Sequence, residues 1–235
     1  MKKIIGLIVL TNLLFSCKEN SNNISSSFPE SQINSIKEID SLEELGSSNE
    51  ILFNEYFEKV SKNQYKRTCL NWSGVIKNID FQEYESSIEL TGELEFEEYF
   101  YYSFKYYLNK NAKETDIFYN KIKKISNGDK IYLSGVLDYP SESDLILSKT
   151  SLSLGSFTIY PFDIDKEKII YSKDLIGMFK FQNQIWFNMK YNSKKIQEKD
   201  IIEAKSLADK LHKSEKQKME SFTGALSSRF QLGTQ

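Results

Sequence analysis

The sequence predicts a mainly β chain with helices (α+β), built on a five-stranded Greek-key barrel between Lys66 and about Asp163. A helix precedes the barrel and a helical extension follows it. Three observations carry this reading. Leu70-Asn71-Trp72-Ser73-Gly74-Val75-Ile76 and, 61 residues later, Ile131-Tyr132-Leu133-Ser134-Gly135-Val136-Leu137 place Ser-Gly-Val at the same phase of an apolar alternation. A glycine inside such a strand marks a bulge or the tight bend of a barrel corner. Between the two, Ile88, Leu90, Leu94 and Phe96 alternate with Glu89, Thr91, Glu93, Glu95 and Glu97, a strand with one apolar and one carboxylate face. Tyr99 to Leu108 is then overwhelmingly aromatic, with Phe100, Tyr102, Phe104, Tyr106 and Leu108 as the expected core face.

Taken in order, the chain opens with an export signal over residues 1–16. Met1-Lys2-Lys3 is basic, and Ile4 to Phe15 is apolar but too short to span a bilayer. Leu14-Phe15-Ser16-Cys17 resembles the lipobox of bacterial lipoproteins, although Phe15 is bulkier than the residue usual there. The resemblance implies cleavage before Cys17, lipid attachment to its thiol and acylation of the new amino terminus, and several acyl chains anchor stably where one does not. What remains is the length of one ordinary domain with additions.

Residues 17–46 read as the acylated cysteine and a flexible tether, since ten of the eighteen residues from Lys18 to Ser35 are Ser or Asn. Ser47-Ser48-Asn49-Glu50 resembles a capping box. It introduces a helix whose stripe is Leu52, Phe53, Tyr56, Phe57 and Val60. That helix and the barrel make up residues 47–163. Within the barrel, Thr115 is placed to cap a helix carrying Phe118, Ile122 and Ile125 at helical spacing, and Asn127-Gly128 closes it.

Strand, strand, strand, helix, strand, strand is the order of the OB-fold. Trp72 to Ile79, the helix, and Asn127 to Val136 together resemble the OB-fold domains of bacterial envelope proteins of the tRNA_anti-like type, over roughly residues 50–163. Residues 164–235 read as an extension. Met178–Phe181 and Ile185–Tyr191 form either a hairpin across Gln182-Asn183-Gln184 or one helix begun near Lys173. An amphipathic helix follows from Lys195 to about Phe222, with Ile201, Ala204, Ala208 and Leu211 on one face, before a polar, frayed end from Ser221.

The chemistry is sparse. With Cys17 acylated, Cys69 is left alone, either buried as a small hydrophobe or open to another chain, and its place at the start of a strand favours burial. The one histidine, His212, sits among lysines and glutamates and reads as a surface residue. No G-x-S-x-G, G-x-G-x-x-G or Walker loop occurs. These features point away from an enzyme, and no cofactor or metal is expected. Nucleic acid is a poor fit: eight carboxylates and no Lys or Arg lie between Lys77 and Lys105, the chain has two arginines, and its net charge is −2.

The expected binding face is Tyr99, Tyr101, Lys105 and Tyr107 on the outward side of the third strand, beside the carboxylates of the second. Tyrosine is common where recognition occurs. The plain alternative is that these tyrosines only cover a barrel. The functional expectation is a lipid-anchored protein of the bacterial cell envelope, on the outer membrane or cell surface or facing the periplasm, with a non-catalytic module for a protein, peptide or glycan. The alternative is a structural or assembly component acting through its C-terminal helix. The oligomeric state stays open.

Overall fold

The computed structural model describes residues 28–61, 68–96, 101–138, 157–192 and 194–232. The expected leader, Cys17, and the tether as far as Ser27 lie outside them. The described elements are α1 (Glu30–Ser48), α2 (Glu50–Ser61), β1 (Thr68–Glu83), β2 (Ser87–Glu95), β3 (Tyr101–Asn109), a 3-10 turn, α3 (Ile117–Ile122), β4 (Lys130–Asp138), β5 (Thr158–Asp165), α4 (Lys173–Asn192), α5 (Glu198–Ala208) and α6 (Lys213–Leu232). The five strands close in the order β1-β2-β3-β5-β4. With β3 and β5 parallel, the other pairs antiparallel and α3 between β3 and β4, this is an OB-fold.

The expected inward residues fill the barrel. Trp72, Ile76, Ile88, Leu90, Leu94, Tyr102, Phe104, Tyr106, Leu108, Ile131 and Leu133 are buried in one cluster, and Phe118, Ile122 and Ile125 close its lower end. Asp116, rather than Thr115, caps α3, its Oδ1 accepting from the Tyr119 backbone N–H at 2.7 Å. Its Oδ2 accepts from the Tyr106 hydroxyl at 2.7 Å. Gly128 takes φ +89°, the left-handed turn expected after the helix.

The two Ser-Gly-Val strands bend differently. In β4 the pairing with β5 shifts between Ser134 and Gly135. In β1 the shifts fall on either side of Gly74, at Cys69/Trp72 and at Ile76/Asn78. Asn71 supplies the first, with φ 53°. Its side chain holds that kink by donating to Ile169 O (2.9 Å) and accepting from Ile169 N (2.8 Å).

Residues 30–46, expected within the flexible tether, belong instead to α1. Its buried residues Gln32, Ser35, Ile36, Ile39 and Leu42 recur at helical spacing. Ile39 and Leu42 join the barrel core. Gln32 behaves as a fragment of strand: its Nε2 donates to Ser73 O (2.8 Å) and its Oε1 accepts from Ser73 N (3.0 Å). Ser31 and Ser35 add bonds to Trp72 Nε1 and the Tyr102 hydroxyl, both 3.0 Å. α1 therefore plugs the upper mouth of the barrel.

The helix boundary also moves from Ser47 to Asn49. Asn49 N bonds Leu45 O to end α1, while its Oδ1 accepts from Ile51 N and Leu52 N to start α2. Of the expected α2 stripe, Phe57 is buried, Phe53 and Tyr56 pack against the core, and Leu52 is 48% exposed.

After the end of β5 the extension is built of three helices. Residues 173–192 form one helix, not a hairpin. Asn183, expected at a turn, is buried and donates to Thr68 Oγ1 at 3.0 Å. The single helix expected from Lys195 is two, broken at Asp209–His212, and the second runs through the stretch expected to fray. Phe222 and Ala225 are buried there. Leu175, Met178, Phe179, Trp186, Phe187, Leu211, Met219 and Phe222 cover Val136 and Phe162 on the outside of β4 and β5, forming a second core. Asp163, 1% exposed, fastens this layer: its Oδ1 accepts from Lys121 Nζ (2.7 Å) and its Oδ2 from Lys218 Nζ (2.6 Å).

Candidate functional site

The outward face of the barrel follows from strand register. Glu89 stands opposite Tyr107, Thr91 opposite Lys105, Glu93 opposite Ser103 and Glu95 opposite Tyr101. On the other side, Gln82, Asp80 and Asn78 of β1 face Glu89, Thr91 and Glu93. Partners in an antiparallel pair share a face, so these residues form one three-strand surface.

Its centre is Glu89. The Tyr107 hydroxyl donates to Oε1 at 3.1 Å and the Tyr84 hydroxyl to Oε2 at 3.2 Å, so two rings from different elements are held by one carboxylate. Partial desolvation and the neighbouring Glu89 charge push the Tyr84 hydroxyl up from its ordinary value. Tyr84 itself is 40% exposed. It was missed in the sequence because it lies in the turn after β1, where strand alternation gives no reading.

Of the expected site residues, Lys105 and Tyr107 lie on this face, both half-buried. The backbone of Tyr101 pairs with Glu95 at its upper end. Tyr99 lies outside the described residues. The carboxylates do not form the single solvated stripe their alternation suggests. Glu95 is paired with Lys77. Glu83 bonds Lys110 and lies 3.6 Å from Lys113, and these lysines, the Lys110 bond first, hold its carboxyl below the usual range. Asp80, Glu85 and Glu93 are exposed.

β3 and β5 share only the register pairs Ser103–Thr158 and Phe104–Ile159. α6 packs along both strands and borders the face on that side. Cys69 is buried in the barrel core as expected, and burial pushes its thiol well up, away from the reactive thiolate. His212 is exposed between α5 and α6, and its backbone N–H donates to Glu215 Oε2 at 3.1 Å. Among the described residues, no three His, Cys, Asp or Glu side chains are grouped to hold a metal. None of the described helices is long and apolar enough to cross a membrane.

No protein-family model and no curated protein sequence matches this chain, so the likeness to tRNA_anti-like domains rests on the barrel order and the short motifs that carry it.

Proposed function

We propose that this chain is a lipid-anchored cell-envelope protein whose OB barrel is a non-catalytic binding module for a protein, peptide or glycan. The observation that carries the reading is the Tyr84–Glu89–Tyr107 array. Two amphipathic rings are fixed by hydrogen bonds on an open face, flanked by the exposed carboxylates of Asp80 and Glu93. Rings held in place before binding lose little conformational freedom when a ligand lands on them. Tyrosine provides both a broad apolar surface and a polar tip. The carboxylates favour ligands that bring hydroxyls, amides or cationic groups and disfavour a phosphate backbone.

The alternative, assembly through a free C-terminal helix, is less well supported, because Met219, Phe222 and Ala225 of α6 already face this chain's own cores. Affinity capture from envelope extract tests the proposal, with the wild type beside Tyr84→Ala/Tyr107→Ala and Glu89→Gln. The expected result is a retained component that both variants lose while their melting temperatures stay within a few degrees of wild type. Equal retention by all three proteins would show that this face is not the working surface.

A further inference from the structure

The helical layer leaves an open groove beside α5. Between the second half of α4 and α5 lies a cleft of about 430 Å³ whose apolar lining is Phe181, Ile185, Met189 and Ile196. Met189 and Ile196 are 40% and 49% exposed, and Ile201 and Ile202 on α5 are 48% and 61% exposed. Met189 and Ile196 line the groove itself, and large aliphatic side chains this open mark an interaction surface.

The stretch of chain that builds this groove is net basic, whereas the barrel face is acidic. Between Asp174 and Glu198 the chain has no acid and four lysines, Lys180, Lys190, Lys194 and Lys195. Lys194, Lys195 and Lys199 line the groove, as do Asp200 and Glu203. The lining thus carries three lysines and two carboxylates, with Asp200 Oδ2 accepting from Gln197 N at 2.9 Å. Residues 175–205 carry six lysines and three acids in a chain of net charge −2.

Position adds an independent argument. Phe179 of α4, and Tyr171 just before the helix, lie by Phe162, whereas Trp186 lies by Tyr160 and Asn183 by Thr68. The helix therefore runs toward the barrel end where β1 and β5 begin, and the groove lies at that end. α1 starts there too, bonded to Trp72, Ser73 and Tyr102, with Phe28 packed against the core. Tyr84 and Glu89 stand toward the far end of β2, roughly 20 Å from Glu95 at ~3.3 Å per residue.

We propose that this end of the barrel is a lipid-facing surface, where the α4–α5 groove and its lysines seat on anionic headgroups while the β1–β2 hairpin points away. Its orientation rests on the reading of Cys17 as the acylated anchor. From Cys17 to Phe28 the chain can reach at most about 40 Å. An anchor there keeps the α1 end nearest the bilayer. An acyl anchor and a basic patch are two signals that together hold a protein on an anionic membrane.

The test uses the full-length protein, purified from membranes in detergent and placed in nanodiscs of phosphatidylcholine alone or of phosphatidylcholine and phosphatidylglycerol in equal parts. Amide hydrogen exchange is followed in residues 188–203 and in the hairpin at 82–90, and the mass of the amino-terminal peptide reports acylation of Cys17. The expected result is several-fold slower exchange in 188–203 on the anionic discs only, an unchanged hairpin, and loss of the slowing in Lys194→Glu/Lys195→Glu/Lys199→Glu. Charge-dependent slowing with Cys17 unmodified would support the surface while removing the anchor. Slowing that is absent, equal on both discs, confined to the hairpin, or produced only by a soluble acidic peptide would overturn the proposal.

Discussion

At Gly135 a methyl group has nowhere to go. A Cβ built there would lie 2.3 Å from Tyr160 O and 2.8 Å from the Pro161 Cα, both backbone atoms of the adjacent strand. At Gly74 the nearest atom, at 2.8 Å, is the Leu94 side-chain tip, which can swing aside more cheaply. Gly135→Ala is therefore expected to cost about 2–3 kcal/mol in chemical denaturation and Gly74→Ala distinctly less; equal costs would contradict this account of the two corners. Gln32 acts through hydrogen bonds instead. Gln32→Met keeps its length but leaves Ser73 N–H and C=O buried without these partners, at about 1–3 kcal/mol for each group. The expected sum of about 2–6 kcal/mol is read from the same denaturation curves. Titration gives a further residue-scale prediction. Burial and Asp116 raise the Tyr106 hydroxyl, and burial and Asp163 raise that of Tyr171, so both keep their protons in the folded state above the pH at which the unfolded chain has lost them. Where the native state binds more protons, stability falls as pH rises. The fall should begin near pH 10, the ordinary tyrosine value, and should be shallower in Tyr171→Phe; an unchanged slope in that variant would rule out Tyr171 as a source.

The helices show what the sequence concealed and why. The barrel strands were legible because their pattern has period two, and each inward position is apolar over a short window. α1 was not, and α4 was legible only as one of two alternatives, because polar residues sit within their buried stripes: Gln32 and Ser35 in one, Asn183 in the other. Their partners lie 41, 67 and 115 residues away, beyond any local window, so a polar residue at a core position reads as a break in the pattern. The candidate face was legible to the same extent. Tyr107 and Lys105 follow from alternation, whereas the link from Tyr84 to Tyr107 through Glu89 needs the closure of a hairpin and the register of a third strand. Attachment of the helical layer yields a prediction at this scale. Lys121 of α3 and Lys218 of α6 meet at Asp163 of β5. Burial alone would lower the Lys121 ammonium, yet its bonds to Asp163 and Asp165 raise it overall. Either lysine removed alone leaves Asp163 one cationic partner. Lys121→Ala/Lys218→Ala leaves a buried carboxylate with neither, and breaking a buried pair costs about 3–5 kcal/mol. A double-mutant cycle should show the double variant losing more than the sum of the singles; strict additivity would mean that the two lysines act independently.

On the scale of the whole molecule, β5 makes the barrel and the helical layer one unit. Ile159 and Ile164 point into the barrel core, while Phe162 belongs to the second core outside it, so the strand is buried on both faces. The phenylalanines of that outer core interlock: Phe162 stacks on Phe179 at 4.9 Å, and Phe222 meets both edge-on at 5.7 and 5.5 Å. The C-terminal extension is thus not an appendage that can be removed to leave a native barrel, as its polar sequence suggests. A chain ended at Lys210 would lose Leu211, Lys218, Met219, Phe222 and Ala225 together. Full burial of a large apolar side chain contributes about 1.5–3 kcal/mol, so the loss is about 5 kcal/mol or more against a total stability of about 5–15 kcal/mol for an ordinary domain. The intact protein is expected to melt in a single calorimetric transition. The shortened chain is expected to melt far lower or to aggregate, with Phe162 and Phe179 uncovered. If instead it kept the barrel's midpoint and binding, the outer core would be a separate module, and the extension would again be available for a partner.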